Sequence, residues 1–172
     1  MNITLIGMAG AGKSYIGRPL AERLELEFID IDKLLESAYG KPIQSILDEL
    51  GATKYVETES EMLIQGTSGR DNLVISPGGS IIYRDRAMDH TKDISTLVYL
   101  KVPFETIEAR LKGASPRAII GLGQKSLQEL YDERTPLYEL HADIIVDTAP
   151  RTLGEVLEEI IRLLPDTMSR NG

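Results

Sequence analysis

The chain has 172 residues, of which 42 % are hydrophobic and 27 % are charged, which is typical of one soluble globular domain with a single core. Its formal net charge of −8 argues against nonspecific binding to nucleic acid or to an acidic membrane surface. The sequence has no cysteine, which excludes disulfides, thiolate catalysis and thiolate zinc sites and fits a reducing cytoplasm. Because it shows neither a signal-peptide pattern nor a long apolar run, we expect a cytoplasmic protein without a membrane span.

Apolar runs typical of buried strands alternate with segments of helical periodicity along the whole chain. The predicted strands are Asn2 to Ile6, Leu26 to Asp30, Asn72 to Ser76, Ser95 to Leu100 and Ala142 to Thr148. The predicted helices are 13–24, 32–40, 43–50, 53–66, 84–91, 103–112, 125–139 and 152–164. Near-continuous apolar strands separated by helices predict a parallel sheet covered on both faces, in a single α/β domain over residues 1–172.

Two stretches depart from this alternation. Residues 32–66 are almost wholly helical and are long for a crossover, so we expect a substrate-holding subdomain there. Residues 113–124, GASPRAIIGLGQ, place three glycines and a proline around a lone arginine. That composition favours a mobile loop that acts as a lid over a site.

The stretch from Gly7 to Ser14, GMAGAGKS, fits the pattern G-x-x-x-x-G-K-[ST] without a mismatch. It follows a predicted strand and precedes a predicted helix, as a phosphate-binding loop requires. Its small residues let backbone N–H groups turn toward phosphate oxygens, Lys13 can reach the β- and γ-phosphates, and Ser14 can ligate Mg²⁺. The alternative is a glycine-rich turn without a ligand. The sequence has no N-K-x-D guanine signature, which disfavours a regulatory GTPase and favours a small kinase.

Asp30 and Asp32 follow the second predicted strand. Alternation along an extended backbone would put both carboxylates on one side, at the edge of the sheet where ligands bind. One carboxylate could hold Mg²⁺ through water, and the other could accept a proton from a substrate hydroxyl. The alternative is that Asp32 only caps the helix that begins near Lys33.

A glycine turn and three arginines complete the candidate site. Gly78 and Gly79 follow the third predicted strand, where they would let a ligand approach the backbone closely, although a plain turn explains them equally. Arg117 in the predicted lid suits a phosphate clamp, and Arg134 in a helical segment suits a fixed carboxylate contact. Arg110, near the end of a predicted helix, has no distinguishing context, and each arginine alone could equally be a solvated surface charge.

Together these segments resemble the shikimate kinase family, within the nucleoside-monophosphate-kinase-like P-loop fold. The matching segments are GMAGAGKS, FIDID, VISPGGS, VYLKVPFETIEARL, SPRAII, YDERTPLYE and ADIIVDT, in family order and at family spacing over nearly the whole chain. The resemblance implies a three-layer α/β/α fold with a five-stranded parallel sheet in the order 2-3-1-4-5. It also implies that a monomer transfers the γ-phosphoryl group of ATP to a hydroxyl of shikimate, or of a similar hydroxy acid, with Mg²⁺.

The resemblance also assigns roles to residues. The implied catalytic residues are Lys13, Asp32 and Arg117. The implied ATP-binding residues are Gly10, Ala11, Gly12, Lys13, Ser14, Tyr15, Arg110 and Arg117. The implied substrate-binding residues are Asp32, Val56, Gly78, Gly79 and Arg134, and Mg²⁺ would be held by Ser14 and, through water, by Asp30.

Two positions depart from the family pattern. The family's glycine turn usually has three glycines, and the third position here is Ser80. The family pattern G-E-x-x-F-R-x-x-E places a substrate-pairing arginine where this chain has Val56. Losing one charge-assisted hydrogen bond of about 1.5–3 kcal/mol would weaken binding by roughly 10- to 150-fold. Val56 could reshape the substrate pocket or only pack in the core, so a kinase for another small hydroxylated metabolite and a non-catalytic nucleotide-binding module stay open.

Overall fold

A five-stranded parallel sheet forms the centre of the protein, in a computed structural model that describes residues 1–114 and 117–165. The strand order β2-β3-β1-β4-β5 is the predicted one. The strands are β1 (Asn2–Ile6), β2 (Glu27–Asp30), β3 (Leu73–Ser76), β4 (Thr96–Lys101) and β5 (Ile144–Asp147). Each strand runs parallel to its neighbours, so all the carboxyl ends of the strands lie along one edge.

Eight helices and one short 3-10 helix surround the sheet in the described part of the chain. They are α1 (Lys13–Arg23), α2 (Ile31–Tyr39), α3 (Ile43–Leu50), α4 (Ala52–Thr67), α5 (Asp85–Ile94), α6 (Phe104–Lys112), α7 (Leu127–His141) and α8 (Leu153–Leu163), with the 3-10 helix at Gly79–Tyr83. Helices α1 and α8 contact each other and the sheet, whereas α5 and α7 contact β4. The predicted three-layer arrangement is confirmed. Within the described ranges, no helix is long and apolar enough to cross a membrane.

The core lies between the sheet and the helices on both of its faces. Ile3 and Leu5 on the central strand β1 are completely buried, as are Leu97 and Val98 on β4. Side chains that point to opposite faces of these strands are equally buried because helices cover both faces. This double coverage explains why the central strands are continuous apolar runs rather than alternating ones.

Helices α2, α3 and α4 form a helical insert between β2 and β3, over the stretch predicted as the substrate-holding subdomain. The three helices pack against one another, and α4 also contacts the 3-10 helix that follows β3. The insert therefore packs against the segment that follows β3, at the edge of the sheet, and is not a separate unit. Its role in holding a substrate stays a prediction.

The predicted lid lies only partly within the described residues. Ser115 and Pro116, the first two residues of the SPRAII segment, lie outside them, as do residues 166–172 at the end of the predicted domain. The rest of the predicted lid is irregular, with an isolated bridge between Leu122 and Lys125 before α7 begins. A capping box between Ser126 and Glu129 starts that helix, because each side chain bonds to the other residue's backbone N–H.

We expect Ile3→Ala to lower the free energy of unfolding by about 2–5 kcal/mol, because it removes a fully buried side chain from the central strand. Ile145→Ala on the edge strand β5 is the matched control. Ile145 is 45 % exposed, and its substitution should cost at most about 1 kcal/mol of strand propensity and partial burial. Urea unfolding of both variants measures the difference. Equal losses would contradict the assigned core.

Candidate active site

A cleft of about 830 Å³ opens at the edge of the sheet where β1, β2 and β3 end. It brings together twelve of the predicted site residues: Gly10, Ala11, Gly12, Lys13, Ser14, Tyr15, Asp30, Asp32, Gly78, Gly79, Arg110 and Arg117. These residues come from four separate parts of the sequence, at 10–15, 30–32, 78–79 and 110–117. The other two predicted site residues, Val56 and Arg134, are not among the described residues that line the cleft.

The loop between β1 and α1 wraps around the amino end of α1. Gly12 caps the helix with φ of 91°, a left-handed conformation that residues with a Cβ rarely adopt. The loop is closed by a 3.0 Å hydrogen bond in which Ala11 N donates to the Met8 carbonyl. This conformation directs the amino end of α1, with its partial positive charge, into the cleft, which suits an anion such as a phosphate.

The Lys13 ammonium group lies along the inside of this loop. Its Nζ donates to the carbonyl oxygens of Gly7 at 2.8 Å and Met8 at 3.0 Å. Burial lowers the pKa of Lys13 to about 8, while the nearby Asp32 carboxylate opposes that shift. Lys13 is thus a positioned cation at the loop, and at neutral pH it remains mostly protonated.

Ser14 and Asp30 meet at the amino end of α1. Ser14 Oγ donates to Asp30 Oδ2 at 2.6 Å, and the backbone N–H of Lys33 donates to Asp30 Oδ1 at 3.3 Å. Asp30 is therefore both the last residue of β2 and the N-cap of α2. The two hard oxygen groups fit Mg²⁺, which usually takes one or two protein ligands together with water and phosphate oxygens. A larger metal-binding group of His, Cys, Asp and Glu is absent from residues 1–114 and 117–165.

Asp32 lines the same cleft, but it does so from a helix and not from the predicted strand. It lies in the first turn of α2, not on an extended strand, so the argument from strand alternation was wrong about the backbone. The alternative that Asp32 caps the helix was also wrong, because the cap is Asp30. Burial raises the pKa of Asp32 to about 6, and the neighbouring Asp30 adds to the shift while Lys13 opposes it. A carboxylate with a pKa near 6 can accept a proton close to neutral pH.

The turn at Gly78 and Gly79 is held from both sides. The backbone N–H of Gly78 donates to Oε1 of Glu59 at 2.8 Å, and the hydroxyl of Tyr138 donates to the carbonyl of Gly79 at 2.6 Å. A Cβ on Gly78 would lie 2.0 Å from Glu59 Oε1, so no other residue fits there without moving Glu59. The two residues form more than a plain turn, because each is fixed by a buried side chain and both line the cleft.

The predicted nucleotide side of the cleft is more open. Arg110 is exposed and its Nη1 donates to the carbonyl of Gly10 at 2.9 Å, while Arg117 is also exposed and Tyr15 is 68 % exposed. The opposite wall contains residues that the sequence reasoning missed: Thr148, Arg151, Leu153 and Val156. They follow β5, and the tendency of ligands to bind beyond the carboxyl ends of parallel strands could have indicated them.

Arg134 is buried behind the cleft rather than solvated. Only 2 % of its surface is exposed, and its Nη2 donates to the carbonyl of Ile120 at 2.5 Å. Its Cζ lies 5.4 Å from the centroid of the Tyr83 ring, within cation–π range. Its Nε has no hydrogen-bond partner among the described residues. The alternative of a surface charge is therefore wrong for Arg134, and the guanidinium retains an unused donor.

Val56 lies in the hydrophobic core, with 6 % of its surface exposed. It is on α4, one turn before Glu59, and both side chains are buried. The family pattern G-E-x-x-F-R-x-x-E ends at this glutamate, so the pattern was a signal that could have indicated Glu59. The burial of Val56 is what core packing predicts, and a direct contact with substrate stays a prediction.

Comparison with known proteins agrees with this geometry. The family model for shikimate kinase matches residues 9–165. A shikimate kinase of Persephonella marina is 35 % identical over 160 residues, which cover 93 % of this chain and 96 % of the relative. A solved shikimate kinase from Acinetobacter baumannii in complex with shikimate superposes with a TM-score of 0.83 at 30 % identity, covering 99 % of this chain and 95 % of that chain. The structure of a shikimate kinase from Aquifex aeolicus gives a TM-score of 0.78 at 30 % identity over both full chains. The chain belongs to the shikimate kinase family.

Proposed function

We propose that this protein transfers the γ-phosphoryl group of ATP to a hydroxyl of shikimate, giving shikimate 3-phosphate and ADP. The observation that carries the proposal is the convergence of Lys13, Asp32 and the Gly78–Gly79 turn in one cleft. The phosphate loop and the carboxylate base are groups that phosphoryl transfer requires, and the relatives with the same fold are shikimate kinases.

The loop would bind the nucleotide through its backbone N–H groups, with Lys13 at the transferring phosphates. Ser14 would hold Mg²⁺ directly and Asp30 would hold it through water, because these two oxygen groups already lie together at the amino end of α1. Bound Mg²⁺ neutralises phosphate charge. Tyr15, Arg110 and Arg151 line the same cleft, and the rest of the nucleotide would extend along them.

Asp32 would accept the proton of the acceptor hydroxyl as that oxygen attacks the γ-phosphorus. Asp32 and Lys13 are both half-buried in the same cleft, so the base and the phosphate-binding cation would act on one reacting group. Arg117 would stabilise charge on the transferring phosphoryl group. The segment 113–124 would act as the lid that limits access of water to the reaction.

The acceptor would lie against the Gly78–Gly79 turn, with its carboxylate directed toward Arg134, which is buried behind the cleft and would have to become accessible when the acceptor binds. The free Nε of Arg134 supports this assignment, because a buried donor without a partner is costly and a carboxylate would satisfy it. Since Val56 offers no charge, Arg134 would bind the carboxylate without a second arginine from α4. We therefore expect weaker recognition of the carboxylate than in relatives that follow the family pattern.

The phosphoryl-transfer roles are tested by Lys13→Ala and Asp32→Asn. We expect each to lower kcat for ADP release with Mg-ATP and saturating shikimate by about 100-fold or more, because each removes a group that acts in the transition state. Lys92→Ala and Asp93→Asn are the matched controls, since both residues are exposed on α5 and do not line the cleft. Wild-type protein with no turnover of saturating shikimate above background would refute the proposed function.

The pH dependence of kcat/KM provides a second test. An ionised Asp32 is needed to accept a proton, so kcat/KM should fall as the pH drops through about 6, the raised pKa of that carboxyl. A charged Lys13 is needed to bind phosphate, so kcat/KM should also fall as the pH rises through about 8. A profile that stays flat between pH 5 and 7, with the fold intact by circular dichroism, would contradict the role of Asp32.

One observation favours a second candidate, a kinase for another small hydroxylated metabolite. The buried valine at position 56 leaves one arginine for a carboxylate, which suits an acceptor with less negative charge. Assays of neutral polyols and other hydroxy acids against shikimate, at equal concentration with Mg-ATP, would decide between them. A kcat/KM for a neutral polyol above that for shikimate would favour the second candidate.

A further inference from the structure

Glu59 is a buried carboxyl in direct contact with the predicted acceptor wall. It lies on α4, with only 1 % of its surface exposed. Its Oε1 accepts from the backbone N–H of Gly78 at 2.8 Å, and its Oε2 accepts from the Ser80 hydroxyl at 3.4 Å. The contact with Gly78 is close enough to exclude a Cβ at that position. Any movement of Glu59 would therefore be transmitted to the backbone of the glycine turn.

This carboxyl is buried without an ion pair. In the described part of the chain, no lysine or arginine nitrogen lies within ion-pair distance of Glu59. Burial raises the pKa of Glu59 to about 7, and Asp32 adds to the shift, while the Gly78 N–H, the Ser80 hydroxyl and Lys13 oppose it. Because an unpaired buried carboxylate is costly, each remaining hydrogen-bond donor matters.

The two departures from the family pattern meet at this carboxyl. Position 56 is three residues before Glu59, so an arginine there would lie on the same helical face and within reach of it. In this chain the side chain at that position is the apolar Val56. Ser80, where the family has a third glycine, supplies instead a hydroxyl that donates to Oε2. The donor that an arginine at position 56 could supply to this carboxyl is absent, and the Ser80 hydroxyl donates to it instead.

We propose that Ser80 is a positioning residue for the acceptor in this chain, and that it acts by donating to Glu59 in place of an arginine at position 56. The proposal rests on the proposed function. Ser80 holds one carboxyl oxygen, and the other oxygen holds the N–H of Gly78. Tyr138 fixes the carbonyl of Gly79, so Glu59 and Tyr138 together set the conformation of the backbone that faces the acceptor.

The first test compares Ser80→Ala with Ser80→Gly. Both remove the hydroxyl, and only the second removes the Cβ. We expect both to raise KM for shikimate by about 2- to 10-fold, the effect of losing one neutral hydrogen bond. KM for ATP should change less than about twofold, because the loop from Gly7 to Ser14 does not contact Ser80 through that hydroxyl. An equal rise in both KM values, or no rise in either, would overturn the proposal.

A second test introduces an arginine at position 56 and compares its effect with and without Ser80. Val56→Arg should lower KM for shikimate in both backgrounds, because an arginine there can pair with the substrate carboxylate. In the Ser80→Gly background it should lower KM by a further factor of about 2 to 10, because it also returns a donor to Glu59. In the background that keeps Ser80, the same substitution should have a smaller effect, since the hydroxyl already occupies Oε2. Equal effects of Val56→Arg in both backgrounds would show that positions 56 and 80 do not share a partner, which would overturn the proposed exchange.

The conservative variant Glu59→Gln separates positioning from bulk packing. Its amide oxygen can still accept from Gly78 N–H and its amide nitrogen can donate to Ser80, so KM for shikimate should stay within about threefold of wild type. Glu59→Ala should raise it more than about tenfold, because the Gly78 contact is lost. A Glu59→Gln variant as impaired as Glu59→Ala would contradict the hydrogen-bond role. If Glu59→Ala does not fold, the Ser80 and Val56 comparisons still decide the proposal.

The pairing is also measurable without any acceptor, which separates it from the proposed function. Thermal unfolding of Ser80→Ala, Glu59→Ala and the double variant forms a double-mutant cycle, because each single substitution removes the contact. We expect the shift in Tm of the double variant to differ from the sum of the single shifts, because the two side chains share one contact. Additive shifts would overturn the pairing. Absence of shikimate turnover with non-additive shifts would refute the proposed function and leave the pairing supported.

Discussion

The parallel pairing of β2, β3 and β1 determines where every group of the candidate site can lie. Asp30 is paired with Ser76 in the register of β2 and β3, so the acidic residue and the glycine turn leave neighbouring strands side by side. The strand β1 ends next to them and leads into the phosphate loop. Because parallel strands end at one edge, residues far apart in sequence converge there, and contacts such as that between Ser14 and Asp30 then fix their positions. The cleft depends on this alignment before it depends on any single side chain.

Much of this arrangement could be predicted from sequence because its determinants are local. The loop from Gly7 to Ser14 is defined by the spacing of small residues and one lysine, and its backbone conformation follows from that spacing. The strand order followed from resemblance, and the buried strands followed from continuous apolar runs. Even here a local inference failed, since Asp32 belongs to a helix whose start is fixed by the side chain of Asp30. The direction of a side chain near an element boundary depends on a cap that a strand pattern does not show.

The rest of the site depends on contacts between distant segments, which periodicity does not reveal. Both a core and a pocket position were open for Val56, because an apolar residue on an amphipathic helix is compatible with either. Arginine is usually a surface residue, and only the contacts with Ile120 and Tyr83 in the fold show that Arg134 is buried. The burial of Glu59 was the hardest feature to predict, because an isolated glutamate in a helix normally faces solvent. Its burial follows from packing of α4 against the turn after β3, a relation set by tertiary structure.

The absence of space for a Cβ at Gly78 also constrains how this protein can evolve. A side chain at that position would displace the carboxyl of Glu59, so a substitution there requires Glu59 to move or to change as well. Changes in the acceptor wall that leave Glu59 in place arise more readily at positions that surround the carboxyl from other directions. Positions 56 and 80 are two such places, and both differ from the family pattern in this chain. Changes at positions 56 and 80 therefore leave the contact of Glu59 with Gly78 in place, whereas a change at position 78 does not.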